Sequence, residues 1–219
     1  MALVRPGLPA PVPTGMTDPL RVLASDEATA APGDLDRAEA AVRRALPGPP
    51  DHEAARRQIL TFLGEHPDAL DRSCAPGHLT GSALVVDPGS ERILLLLHAK
   101  VQRWLQPGGH ADGDGDLAHV ALREATEETG IEGLRVVTPA IDLDVHVFRD
   151  SRGRDPEHLH LDVRHLVLTP PGAQATTNHE SDSHAWVREE ELAGYDLDVG
   201  TIRMARAGLA LLRAHPELR

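Results

Sequence analysis

Cysteine, positive charge and long apolar runs are all scarce in this chain of 219 residues, and each scarcity narrows what it does. There is one cysteine, Cys74, so no internal disulfide can form and a reducing compartment is expected. A lone free cysteine is a small apolar filler far more often than a nucleophile, and Cys74 is read that way. Lys plus Arg number 22 against 34 Asp plus Glu, a formal net charge of −12. A sequence-independent nucleic-acid binder needs a basic footprint to displace counterions, so that class is excluded, and docking on anionic membrane with it. No apolar run approaches the roughly 20 residues of a membrane span. The opening MALVRPGLPAPVPTGM carries too many prolines for the hydrophobic region of a signal peptide. A cytoplasmic protein with a small-molecule partner is the expectation.

What the chain has instead is negative charge crowded at one place. From Gly108 to Ile131 it reads GGHADGDGDLAHVALREATEETGI, a Gly/Asp loop that becomes an amphipathic helix near Leu117. Glu124 and Glu128 are neighbours at i,i+4 on that helix, and Glu124 and Glu127 at i,i+3. Like charges so placed cost a helix roughly 0.2–0.5 kcal/mol per pair, and only Arg123 stands locally against them. A structural helix has no use for this crowding. A site for a divalent cation does, because Mg²⁺ is a hard ion that takes oxygen ligands and brings substrate phosphates with it.

The length suits one good core with an appended segment. Residues 1–33, rich in Pro, Ala and Gly, read as an extended arm. Residues 34–75 read as a helical extension: Asp34 caps a helix whose Leu35, Ala38, Val42 and Leu46 share a face, Pro47 ends it, and a second helix runs from Asp51 to Gly64. A homodimer is compatible with that extension. From 76 to 219 the pattern is a folded domain. LTGSALVVD and RILLLLH flank a Pro88-Gly89 turn, Trp104-Leu105 is a short strand, and the helix 116–130 ends at Gly130. Residues 134–148 and 158–168 alternate and form an antiparallel pair. A strand at 183–187 and a helix from about Asp198 to Ala214 close the chain. Strands, a helix, more strands and a helix make an α+β fold, an α/β/α sandwich with a mixed sheet between helices.

Gly109, thirteen residues, then Arg123-Glu124-Ala125-Thr126-Glu127-Glu128-Thr129-Gly130-Ile131 resembles the Nudix box, whose pattern is G, five residues, E, seven residues, REUxEExGU. Ala125 is smaller than the usual aliphatic U. The first glutamate of the pattern falls on Gly115, and Asp114 and Asp116 flank it as substitutes. The resemblance implies a Nudix fold from about residue 77 to 215. It also implies Mg²⁺- or Mn²⁺-dependent hydrolysis of a nucleoside diphosphate linked to some moiety X. A phosphoanhydride is repelled by an acidic pocket unless cations neutralise its oxygens, and those cations polarise phosphorus and lower the pKa of a bound water. Glu124 and Glu128 are the expected direct ligands and Glu127 a partner ligand or one acting through water. The Gly109 carbonyl is a further ligand, since glycine lets main chain approach closely. Arg123, four residues before Glu127, is expected to pair with it.

The loop Asn178-His179-Glu180-Ser181-Asp182 precedes a strand and can reach the metals. Glu180 is the candidate general base and Asp182 the second. The 13 histidines cluster in the second half. His110 follows the loop glycines, and His146, His158 and His160 share polar strand faces with Asp142, Asp144, Asp162 and Arg164. They are read as the lining of a wet cleft, with His110, His146, His160 and Arg164 contacting substrate and Arg164 forking onto a phosphate. Two other readings stand beside the hydrolase. One is a catalytically silent Nudix-like module that binds a nucleotide, favoured by Gly115 but not by the three retained box glutamates. The other is a cupin-like enzyme with a transition metal on His158 and His160, since an H-x-H pair on a strand aims both rings the same way. Trp104 and Trp186 are expected in the core, with Trp104 also placed to stack on a base.

Overall fold

The computed structural model describes residues 19–149 and 156–219. Most of the expected arm (residues 1–18) therefore lies outside the described residues, as does most of the turn before His158. Within the remainder, Arg21–Leu23 forms a short edge strand, β1. The helices α1 (Leu35–Arg44) and α2 (Pro50–Glu65) follow, and Asp34 caps α1 by accepting from the Arg37 backbone N–H. Arg56, on α2, is 4% exposed and donates to the carbonyls of Val42, Arg43, Ala45 and Leu46. Those oxygens at the end of α1 have no partner inside the helix, so one guanidinium satisfies them and locks the two helices together.

The strands are β2 (Gly77–Asp87), β3 (Arg92–His98), β4 (Trp104–Leu105), β5 (Gly108–His110), β6 (Arg135–Phe148), β7 (His158–Leu168) and β8 (Ser181–Val187). The remaining helices are α3 (Leu117–Thr129) and α4 (Val199–Ala214). The sheet runs β1-β6-β7-β2-β3-β4, with β5 added on β2 and β8 on β3. β6 and β7 are the expected antiparallel pair, while β2 and β7 run parallel over ten residue pairs. β2 and β3 are the strands expected on either side of the Pro88-Gly89 turn. They meet only at Val86–Ile93 and Asp87–Arg92, and lower down β2 takes β5 as its partner through Thr80–His110, Gly81–Gly109 and Ser82–Gly108. The sheet forks there, and the Gly/Asp loop enters the fork.

Alternation along β2 assigns the two faces. Ala83 and Val85 pack with Ala118, Ala121, Leu122 and Ala125 of α3, whereas Leu84 and Val86 pack with Met204, Ala205, Leu209 and Leu212 of α4. α1 and α2 extend the α3 layer, burying Ala38, Val42, Ile59 and Phe62 against Leu79, Leu143, Leu161 and Val163. Helices thus cover both faces of a mixed sheet, which is the expected sandwich. No helix among the described residues is long and apolar enough to cross a membrane.

Candidate active site

Asp116 starts α3, accepting from the backbone N–H groups of Ala118 and His119, and left-handed Gly130 ends it. The helix buries Leu117, Val120, Ala121, Leu122 and Ala125, which leaves Glu124, Glu127 and Glu128 along its uncovered side. Glu124 lies against the backbone of Gly109, where an added Cβ would stand 2.6 Å from both carboxylate oxygens. A side chain at 109 would push the Glu124 carboxylate away from this backbone. Gly108 N–H donates to Glu128 Oε1 at 3.4 Å. Arg123 Nη2 donates to Glu124 Oε1 at 2.7 Å and to the His110 carbonyl at 2.9 Å. The expected Arg123–Glu127 pair is therefore replaced by an Arg123–Glu124 pair, because the guanidinium turns toward β5.

Glu180 joins this group from the far side. Its peptide N–H donates to Asn178 Oδ1, its carbonyl accepts from Ala99 N–H, and Asn178 Nδ2 reaches the Glu127 carbonyl at 3.3 Å. The loop is thus tied to both β3 and the end of α3. Asp182, the second candidate base, accepts from Gln102 Nε2 at 2.7 Å. Burial pushes the Glu128 carboxyl up to about 8, with Gly108 N–H opposing and Glu124, Glu180 and Glu127 adding repulsion. Glu124 is raised by burial too, against the pull of Arg123 and with a further push from Glu127 and Glu180. Four hard-oxygen carboxylates held together at such electrostatic cost suit a divalent cation, which would relieve the repulsion.

Arg164 is elsewhere. It is 2% exposed, and its Nε, Nη1 and Nη2 donate to Asp162 (2.7 Å), Asp142 (3.1 Å) and Asp144 (3.1 Å). Arg203 of α4 also grips Asp142 and Asp144, His52 of α2 contacts Asp142 at 3.2 Å, and Thr80 and Ser82 donate to Asp162. With its guanidinium spent on three aspartates, Arg164 holds the sheet's polar face together and is not placed to fork onto a phosphate. Arg203, which the sequence reading missed, completes this network from the neighbouring layer.

The histidines do converge. His160 stands between His78 of β2 and His146 of β6 in register. Its ring lies 5.1 Å from His78, 5.3 Å from His110, 5.5 Å from His146 and 5.1 Å from His158, with Phe148 stacked on it at 4.8 Å. Burial, then the charges of His110, His158 and Arg72, lower His78 to about 4. His146 Nδ1 lies 3.1 Å from Asp144 Oδ2, and that bond raises its pKa. His78 was not singled out from sequence, since nothing local to it reveals that a strand 80 residues later lies alongside. Trp104 is half-buried with its ring edge-on to Tyr195 at 5.2 Å.

A family model described as the NUDIX domain matches residues 77–207. The chain belongs to the Nudix family. Comparison with curated proteins gave no match. Among solved structures, a Nudix-family hydrolase from Clostridium perfringens is 22% identical with a TM-score of 0.47, covering 62% of this chain and 97% of its own. A C. elegans Ap4A hydrolase in a binary complex is 18% identical with a TM-score of 0.49, covering 62% and 98%. The E. coli dihydroneopterin triphosphate pyrophosphohydrolase is 14% identical with a TM-score of 0.47, covering 61% and 95%. As a Nudix protein the chain is a pyrophosphohydrolase by class, and the cupin-like reading is set aside.

The Nudix box departs from its pattern at Gly115, and packing supplies the reason. Gly115 N–H donates to the Ala31 carbonyl at 2.9 Å, and a Cβ on residue 115 would collide with the backbone carbonyl of Asp34. The segment leading into α1 crosses directly over this position and leaves no room for a side chain. The flanking aspartates do not substitute for the missing glutamate. Asp114 accepts from Ala31 N–H and Asp116 N–H and contacts His119, while Asp116 caps α3 and pairs with Arg37. A cavity of about 420 Å³ opens beside this crossing, lined by Arg21, Arg37, Arg44, Gly115 and His165 among others. None of the four glutamates lines it.

Proposed function

We propose that this Nudix domain is a Mg²⁺- or Mn²⁺-dependent hydrolase of the phosphoanhydride in a nucleoside diphosphate derivative. The observation that carries the reading is the meeting of Glu124, Glu127 and Glu128 with Glu180, a carboxylate from a different loop, around the close-packed backbone of Gly108 and Gly109. Glu124, Glu128 and the Gly109 carbonyl would hold the cation, with Glu127 as partner ligand. A cation bound there neutralises the diphosphate oxygens, polarises phosphorus and makes water more acidic. Arg123 fixes the Glu124 carboxylate against β5 and keeps its oxygens aimed at the fork. Glu180, with its side chain 45% exposed, takes the proton of the attacking water and passes it to solvent. His110, next in sequence to Gly109, and His146, which meets the His160 ring from β6, offer N–H donors to the diphosphate or to X. The reading of a silent nucleotide-binding module rested on Gly115, and the packing against Asp34 gives that residue a structural reason of its own.

The test is a panel of nucleoside triphosphates, ADP-ribose, dinucleotide polyphosphates and nucleotide sugars, assayed with Mg²⁺ beside Glu128→Gln. At least one substrate is expected to turn over in the wild type and to lose about 100-fold or more in the variant, since even outer-shell partners of a metal are worth 10–100-fold. Activity that survives Glu128→Gln undiminished removes the metal assignment. Tight nucleotide binding with no turnover across the panel favours the silent module.

A further inference from the structure

We infer that His78, His158 and His160 form a second metal centre, distinct from the carboxylate cluster, for a transition-metal ion of the Zn²⁺ class. Sheet register builds it. His78 is paired with His160 across the parallel β2–β7 ladder, and alternation puts His158 on the same face two residues earlier. One ring nitrogen from each of the three lies within 4.8 Å of the others. The Nε2 atoms of His158 and His160 are 3.3 Å apart. Two nitrogens each 2.0–2.1 Å from a tetrahedral ion stand roughly 3.3–3.4 Å apart, so this pair already has the bite such an ion needs.

Two independent features favour an ion over a chain of hydrogen bonds. His78 is 2% exposed, and apart from a weak contact with the Cys74 backbone carbonyl neither of its ring nitrogens makes a hydrogen bond of standard geometry among the described residues. A carbonyl contact engages one nitrogen at most and leaves the other buried without compensation, which a coordinate bond would supply. His158 Nδ1 lies 2.9 Å from the Pro156 carbonyl. A carbonyl only accepts, so the proton sits on Nδ1 and the Nε2 lone pair faces His160. That is the usual arrangement of a metal-bound histidine, whose far nitrogen donates to a carbonyl or carboxylate that fixes its tautomer. Three imidazoles without thiolate or carboxylate suit Zn²⁺, Co²⁺ or Ni²⁺ better than Mg²⁺. Three protein ligands also leave a fourth position for water or a substrate oxygen. His110, next in sequence to Gly109, has its ring 4.8 Å from His78 and links this centre to the carboxylates.

This inference does not depend on the proposed hydrolysis, and its test reads no activity. Glu128→Gln protein, stripped with EDTA and dialysed, is titrated with Co²⁺ and followed by visible absorption and metal analysis. The expected result is one Co²⁺ per chain with the strong visible bands of tetrahedral nitrogen coordination, displaced by Zn²⁺ but not by Mg²⁺. Adding His158→Ala or His160→Gln to that background is expected to weaken binding at least about tenfold while circular dichroism stays unchanged. His78 is left intact because truncating so buried a ring risks the fold. If the Glu128→Gln protein takes up no Co²⁺ or Zn²⁺, or if uptake is indifferent to both histidine substitutions, the centre does not exist and His158 and His160 are simply hydrogen-bonded to each other.

Discussion

Glu124, Glu127, Glu128 and Glu180 meet at the end of α3 with one guanidinium, Arg123, bonded among them; Asp142, Asp144 and Asp162 meet on the sheet face toward α4 with two, Arg164 and Arg203, and with His52 beside them. Both clusters are acidic and partly or wholly buried, yet Glu124 and Glu128 respond in the opposite direction to Asp142 and Asp144. Glu128 and Glu124 are raised, because burial is not offset and their neighbours share their sign. In Asp142 and Asp144 burial is the largest influence and raises them, but His52, His146 and the two arginines outweigh it and hold both below the usual carboxylate range. The protein neutralises its aspartates from within and leaves its glutamates short of positive charge. That difference separates a structural network from a site that needs a cation from outside.

The comparison predicts three outcomes of decreasing size. Glu180→Gln removes the proposed base and leaves the internal pairs intact, so kcat is expected to drop about 10²–10⁴-fold with Tm unchanged. Turnover near wild type would show that the loop carboxylate only decorates the cluster. Arg164→Met strips the aspartates of their central partner, and breaking a buried pair on one side costs about 3–5 kcal/mol. Chemical denaturation measures it, and a loss under about 1 kcal/mol would mean that Arg203 alone suffices. The smallest effect is a pH trend. Glu128 binds its proton more tightly folded than unfolded, so stability present below its ordinary value of 4.5 is lost as pH rises toward about 8. Asp142 and Asp144 have depressed folded values, so their stabilisation is present above the ordinary 3.8 and is lost as pH falls further. In EDTA, Tm is therefore expected to decline between about pH 5 and 8 for the wild type and to flatten in Glu128→Gln. Identical slopes for the two proteins would dissolve the contrast between the clusters.

Much of this site was legible because it is local. The spacing from Gly109 through Arg123 to Gly130 fixes a loop, a helix and the carboxylates on one side of it, all within a few turns of chain. Asp34, Asp116 and Asp198 cap their helices as short-range capping rules require. Arg164 misled for a complementary reason. An arginine among alternating polar residues has the same pattern whether the face is wet or covered, and α4 covers it.

The sequence by itself determined the Nudix box, the layered fold and the crowding of Glu124, Glu127 and Glu128, since these depend on one short stretch of chain, Gly109 to Ile131, and on hydrophobic periodicity. Only the tertiary structure decided why residue 115 is glycine, where Arg164 spends its charge, and that His78 meets His158 and His160. Each of those depends on which distant segment lies alongside: Asp34 over the loop, α4 over the sheet, β7 parallel to β2. Strand register and layer order are set by packing of the whole core, and no window of sequence contains them.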